Sequence, residues 1–337
     1  MSEDPLELTR IANKSFSELL KDGFGLFGKN WIKIIVPISF FYVISLLIRI
    51  LLLANANWDL ILLEAIVGPL AEVDPFTLTE SQLNSMISYV FSTWGIDILN
   101  FIIGALFTTL GLCSVAKYLY KDYLGEKISL AESMKGAFNR KIIAVLLILA
   151  LVIPLGNFML LIPSIVIFGF YIFSIYTYQL DYNERSIKEA KILSKGAFGK
   201  IIGTFLFSVL ITLTVTIFYQ MLIEIIFPVS YSTLVSWYDP ANRRFDLIFI
   251  YNLMTNVVPL LLEPLFICLL TPLFIQMKAR KKLNYGHQIK YSQRVYQPPT
   301  QPEYVEEGIY CPFCGQHMDF KLKFCPSCGE SIDFLTK

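Results

Sequence analysis

The sequence predicts an all-α integral membrane protein with a small cysteine-rich module at its C-terminal end. Three observations lead there. Hydrophobic residues make up 55% of the 337 positions and charged residues only 16%, where a soluble domain averages about 25% charged. The excess is gathered into apolar runs of about 18 residues or more, long enough to cross a hydrocarbon core about 30 Å thick as helices. Four of the six cysteines lie beyond residue 310, in two C-x-x-C pairs. The net charge of +1 gives the molecule as a whole no pull on polyanions.

The N-terminal segment "MSEDPLELTRIANKSFSELLKDGFG" is polar and mixed in charge. It lacks the basic-then-apolar order of a cleaved signal peptide, so the first apolar stretch is expected to stay as an anchor. Six spans are expected, over 32–54, 98–118, 139–155, 158–178, 201–227 and 247–277. The third and fourth divide one apolar run, 142–180, which is too long for a single crossing at 1.5 Å per residue. "PLGN" at 154–157 supplies the turn, and a re-entrant hairpin is the alternative there. The chain thus divides into a membrane domain, 1–282, a basic and then Pro-rich linker, 283–307, and the cysteine-rich module, 308–337.

Basic residues set the expected orientation. None lies between Arg49 and Lys117, between Lys141 and Arg185, or between Lys200 and Arg243. They cluster at 117–141, 185–200 and 278–294, which places those segments in the cytoplasm of a cell membrane. The loop after the first span carries Asp59, Glu64, Glu72, Asp74 and Glu80 without a base and faces out. An even number of spans then leaves both termini cytoplasmic. Trp31, Trp58, Trp94 and Trp237 fall near expected interfaces, where amphipathic rings settle. Arg243 and Arg244 are the exceptions to the pattern.

A unit recurs before spans one, three and five: "SFSELLKDGFGLFGKNWIKII", "SLAESMKGAFNRKII" and "SIKEAKILSKGAFGKII". Each opens with S-x-x-E, at Ser15/Glu18, Ser129/Glu132 and Ser186/Glu189. That spacing suits a capping box, in which the hydroxyl takes an orphan backbone N–H and the glutamate reaches back to the cap. Apolar residues at helical spacing follow, and each unit ends in Lys-Ile-Ile. Three repeats are therefore expected, each an interfacial amphipathic helix and a helical pair. Ordinary cytoplasmic loops with helical content are the plainer reading.

The segments "YLYKDYLGEKISLAESMKGAF" (118–138) and "LLIPSIVIFGFYIFSIYTYQLDYNERSIKEAKILSKGAFGKIIG" (160–203) carry a resemblance. Together they are similar to the membrane domain often found with glycerophosphodiester phosphodiesterases. The likeness covers about residues 10–282 and is one of spans and loops, with no catalytic motif. It implies a membrane bundle. It does not imply esterase activity, because the phosphodiesterase itself is a separate barrel for which this chain has no room.

Cys311-Pro-Phe-Cys314-Gly and Cys325-Pro-Ser-Cys328-Gly present four thiols. Four thiolates in tetrahedral array suit one Zn²⁺ and leave no position for a catalytic water, so the ion is expected to be structural. A redox pair needs only one C-x-x-C and usually a βαβ pattern, and an iron site is the other alternative. The segment resembles the short zinc ribbons common in archaeal and bacterial proteins, over about 308–333. His317 between the knuckles reads as a turn residue. So small a module takes its folding energy from the metal. It reads as an interaction surface for a cytosolic protein; Lys321 and Lys323 are offset by Asp319, Glu330 and Asp333, so nothing favours nucleic acid. Ahead of it, residues 278–294 hold six bases and no acid. Lys278, Arg280, Lys281 and Lys282 are candidates for contact with anionic headgroups, the alternative being that they only fix topology. "QPPTQPE" is a semi-rigid spacer.

Charged residues within spans point to function by default. Glu263, between Pro259 and Pro264, is the leading candidate, with Glu224, Arg49 and Asp97 at span ends and Asn100 beside the last. A structural reading has Glu263 neutral or paired with Arg49. Cys113 and Cys268 read as packing residues. The two histidines lie in the tail, and no His–acid cluster, serine elbow or phosphate loop is present, so no enzyme is expected. The expectation is a membrane scaffold or adaptor whose ribbon recruits a partner. The alternative is a small-solute or lipid transporter using Glu263.

Overall fold

The computed structural model describes residues 5–69, 78–159, 161–180, 186–295, 309–311 and 317–318, and these are helical apart from one short strand pair. The chain forms two units, Met1–Asn284 and Tyr285–Lys337. In the first, a short helix, α1 (Pro5–Ala12), leads into α2 (Phe16–Val67). The expected capping box forms: Ser15 Oγ accepts the Glu18 N–H at 3.3 Å and Glu18 Oε2 accepts the Ser15 N–H at 2.6 Å. A separate interfacial helix ahead of the first span was expected. Instead α2 runs unbroken for 52 residues, about 78 Å at 1.5 Å per residue. No cap or proline separates the amphipathic segment from the apolar one, and Pro37 is absorbed within the helix.

The next helix, α3 (Glu80–Tyr123), starts at a second capping box, Thr79 with Gln82. It lies antiparallel to α2, because the start of α2 is tied to the end of α3. Lys14 bonds Asp22 at 2.6 Å and the Tyr123 hydroxyl at 3.1 Å, and Lys29 pairs with Asp122 at 2.9 Å. Then come α4 (Leu130–Ala137) and α5 (Ile142–Leu146), which passes through a π-helical turn, Leu147–Val152, into α6 (Ile153–Met159). The turn expected at 154–157 is therefore helical. Gly156 allows the following helix, α7 (Leu161–Tyr171), to approach closely. A Cβ there would lie 2.7 Å from Ser164 Oγ, which itself donates to the Ile153 carbonyl at 3.1 Å.

The helices α8 (Ser174–Leu180), α9 (Ser186–Lys195) and α10 (Phe198–Ile226) follow. After them come α11 (Tyr231–Tyr238), α12 (Phe245–Thr255) and α13 (Val257–Val295). Among the described residues, five helices are long and apolar enough to cross a membrane, and six if α4 with 142–157, bent by 81°, counts as one. The sixth span, expected over 247–277 with its prolines bending the helix, is interrupted at Asn256. Pro259 explains the break: it has no N–H for the Thr255 carbonyl, and its ring crowds that carbonyl in a continuous helix. In the first turn of α13 the same proline costs nothing, since N–H groups there have no intrahelical partner.

The core lies at the end of the bundle that holds the basic clusters. Buried residues of α3 gather at 111–120, and Tyr176, Phe173 and Phe274 are among the largest fully buried side chains. Tyr176 stacks on Phe274 at 4.5 Å, and its hydroxyl lies 2.8 Å from Thr271 Oγ1. Away from that end packing loosens. Only 17% of the apolar window of α10 is buried, against 67% for α13. In the second unit, β1 (Ile309–Tyr310) pairs antiparallel with β2 (His317–Met318).

Candidate functional site

The polar residues of the bundle fall into stripes. On α2, Tyr42, Leu46, Arg49, Ile50 and Asn57 share a face at helical spacing. On α12 and α13, Asn252, Asn256 and Glu263 follow i, i+4, i+11 across the break. These stripes meet Asn100 of α3 and Tyr238 of α11 around a pocket of about 380 Å³, lined by Tyr42, Arg49, Asn57, Asn100, Tyr238, Asn252 and Asn256. The volume is within the range of small-molecule sites.

Arg49 supplies the positive charge. Its guanidinium is in hydrogen-bonding reach of Tyr42, while its Nε is enclosed and has no hydrogen-bond partner among the described residues. An enclosed N–H left without an acceptor costs about 1–3 kcal/mol. Glu263, half-buried, lies near Arg49 and in hydrogen-bonding reach of Thr108. Arg49 and Glu263 feel each other's charge but do not form a direct ion pair.

The asparagines are held from below. Asn252 Nδ2 donates to the Ile248 carbonyl at 2.8 Å, and Asn256 Nδ2 to the Asn252 carbonyl at 2.8 Å. The break at Asn256 thus places a non-helical residue on the pocket wall.

Of the residues singled out in the sequence, Arg49 and Asn100 line this pocket and Glu263 lies near Arg49. Asp97 is exposed and outside the lining. Glu224, also exposed, borders a different pocket of about 600 Å³ with Gln220 and Tyr251. Tyr42, Asn57, Tyr238, Asn252 and Asn256 were not singled out. Their signal was present as polar side chains at helical spacing inside apolar runs. Cys113 and Cys268 are buried.

The basic residues after the last span are largely engaged. Arg280 Nε donates to the Ala12 carbonyl at 2.8 Å, Lys281 pairs with Glu189, and Lys278 Nζ sits 5.4 Å from the Tyr120 ring centroid. Lys282 is exposed. The engagement of Glu189 also alters the third expected capping box: Ser186 is the first residue of α9, and Glu189 turns to Lys281. At the second, Ser129 Oγ accepts the Glu132 N–H at 3.1 Å.

Of the four expected zinc ligands only Cys311 is described; Cys314, Cys325 and Cys328 lie outside the described residues. Cys311 is buried and directly follows β1. The register pairs Tyr310 with His317. The set of four thiols in the sequence suits Zn²⁺. Among the described residues there is no group of three or more metal-ligating side chains. No family model matches the chain, and neither a curated protein nor a solved structure matches it.

Proposed function

We propose that the bundle binds a small polar solute carrying a carboxylate or carbonyl group in the Arg49 pocket, and that the protein transports or senses that solute. The observation that supports this reading is the enclosed Arg49 Nε without an acceptor, on the wall of a pocket rimmed by four asparagines. Most buried side-chain donors are satisfied; Arg49 Nε is one of a few that are not, and the one on the wall of this pocket. The broken helix at Asn256 adds support, since discontinuous membrane helices commonly form solute sites. Arg49 and the asparagines take the solute's oxygens, and Glu263 balances the charge from one side.

The test is a thermal-shift screen of small carboxylates and amides on detergent-purified protein. Stabilisation by one of them, lost in Arg49→Gln and kept in Asp97→Asn, supports the reading. If no compound stabilises the protein, and Asn256→Cys is inert to a water-soluble maleimide, the pocket is closed and the reading fails.

A second reading is favoured by the strand pair around Cys311. In it the C-terminal unit is a zinc ribbon, with one structural Zn²⁺ on Cys311, Cys314, Cys325 and Cys328. It recruits a cytosolic protein to a membrane scaffold. The threefold repeat, the cytoplasmic termini and the resemblance to the phosphodiesterase-associated membrane domain belong to this proposal too. Cross-linking in native membranes, with the full chain beside one ending at Pro302, tests it: partners lost with the ribbon support it, and an unchanged partner set counts against it.

A further inference from the structure

A second pocket, of about 340 Å³, lies at the basic end of the bundle. Three separate segments bring lysines to it. Lys117 and Lys121 come from the end of α3, Lys127 from the loop before α4, and Lys278 from α13. The lining also holds Glu126 and Glu132, so two positive charges are in excess. Glu126 is paired with Lys121. Glu132 is exposed on the lining, and its carboxylate sets one negative charge against Lys117, Lys127 and Lys278, which leaves the excess of two.

Two of these three are held rather than free in solvent. Lys278 stands over the Tyr120 ring at 5.4 Å, a cation–π placement that fixes its ammonium at the pocket wall. Lys117 is half-buried in the most tightly packed stretch of α3, between buried Ala116 and Tyr118. Among the described residues it has no ion-pair partner. Gly136 of α4 lies opposite it, where even a Cβ would make only ordinary contact, 3.6 Å from Lys117 Nζ. Lysines that only fix topology need no cavity and can sit in exposed loops. Lys117 and Lys278, both half-buried, bring like charges to one pocket from two helices with exposed Lys127 at its rim, and an anion between them lowers their mutual repulsion.

We propose that this pocket binds a phosphate-bearing anion, through Lys117, Lys127 and Lys278. The size is at the low end for ligand sites and suits one headgroup. The same chemistry is offered by the headgroup of an anionic phospholipid and by a soluble phosphate. Basic pockets between membrane helices commonly take the former.

The experiment uses the full chain in nanodiscs and has two arms. In one, phosphatidylglycerol is mixed into phosphatidylcholine, and native mass spectrometry counts the anionic lipid retained. In the other, inorganic phosphate is titrated onto protein in pure phosphatidylcholine and thermal stability is followed. A response in the first arm alone identifies a headgroup site, and one in the second a soluble-phosphate site. Either supports the proposal if it depends on the lysines. Lys117→Gln/Lys278→Gln should weaken binding roughly 30-fold, at about 1 kcal/mol per base. Lys127→Gln, on an exposed loop that cannot disturb packing, should weaken it about 5-fold. Lys117→Arg/Lys278→Arg should keep it, and Lys282→Gln, outside the lining, should not change it. Equal binding by wild type and Lys127→Gln, or an equal loss in Lys282→Gln, overturns the proposal, as does silence in both arms.

Discussion

Asn30 is the side chain through which α2 and α3 are locked at the basic end, and replacing it gives a quantitative test of the packing. It is 1% exposed. Its Nδ2 donates to Asp122 Oδ2 at 2.9 Å and to the Leu26 carbonyl at 3.2 Å, and its Oδ1 accepts the Tyr118 hydroxyl at 2.8 Å. Asn30→Ala removes one hydrogen bond to a charged group, worth about 1.5–3 kcal/mol, and one neutral bond worth about 1 kcal/mol. It also leaves the Tyr118 hydroxyl, 6% exposed, without its acceptor. The expected loss is about 3.5–5 kcal/mol. Tyr118→Phe removes only the shared bond and leaves Asn30 Oδ1 bare, for about 1–2 kcal/mol. In the double variant the orphaned partner is absent, so its loss should fall short of the sum by about 1 kcal/mol. Reversible unfolding by sodium dodecyl sulfate in mixed micelles measures all three. Strict additivity, or an Asn30→Ala variant as stable as wild type, refutes the arrangement described here.

Four further outcomes are expected. Gly23→Ala should destabilise the bundle by about 1–3 kcal/mol, because its Cβ would lie 2.7 Å from Leu269 Cα and 3.1 Å from the Cys268 carbonyl. Gly203→Ala, with Phe16 Cζ 3.6 Å away, should be neutral in the same unfolding assay. Burial alone lowers the Lys14 pKa, but hydrogen bonds to Asp22 and Tyr123 outweigh it and raise the net value above the ordinary 10.5. Its contribution to stability is thus complete below pH 10.5 and declines as pH climbs through the folded value. The stability gap between wild type and Lys14→Met should be constant from neutral pH up to that point and narrow above it. Elemental analysis of the purified chain should find one zinc per molecule, lost in Cys311→Ser, and a chelator should expose the ribbon thiols to a colorimetric reagent.

The spans were legible because lipid imposes a simple rule: backbone groups must be satisfied within the segment, so long apolar runs become helices. The same rule hid where helices end. The Lys-Ile-Ile that closes the first repeat unit carries no breaker, and α2 passes through it from Phe16 to Val67. Pro259 carried a break signal, yet its effect fell at Asn256, where the ring's demand on the preceding turn is met. Arg49 and Glu263 were visible one at a time, as charges in apolar context. Their common neighbourhood was not, because Tyr42, Asn57, Asn100, Tyr238 and Asn252 reach the pocket from four helices. Which faces meet is a tertiary property. The lysines after the last span were visible as a run, but Arg280 and Lys281 are engaged by Ala12 and Glu189, which only the packing brings near.

The two pockets sit in regions of different mechanical character, and that bears on how each can work. The basic end is closely packed: Ile267, Leu270, Thr271, Ile275 and Gln276 of α13 are fully buried. Gln276 further ties α13 to the Lys14 carbonyl at 2.6 Å. The lysine pocket is built on that end, so it is preorganised and pays little ordering cost on binding. The Arg49 pocket lies where packing is sparse. Two helices that line it, α11 through Tyr238 and α12 through Asn252, have Ile248 as their one buried residue. The helix lining that pocket is broken at Asn256. Segments with few buried contacts open at low free-energy cost, and moving sites are drawn from them. A solute site with loosely packed walls can change shape by tilting α11 and α12 without disturbing the core at the basic end. Cross-linking α12 to α2, both of which line the pocket, by a cysteine pair should therefore suppress solute flux while leaving anion retention at the basic end unchanged. Parallel loss of both would mean that the bundle moves as one body, and the division of labour drawn from its packing would be wrong.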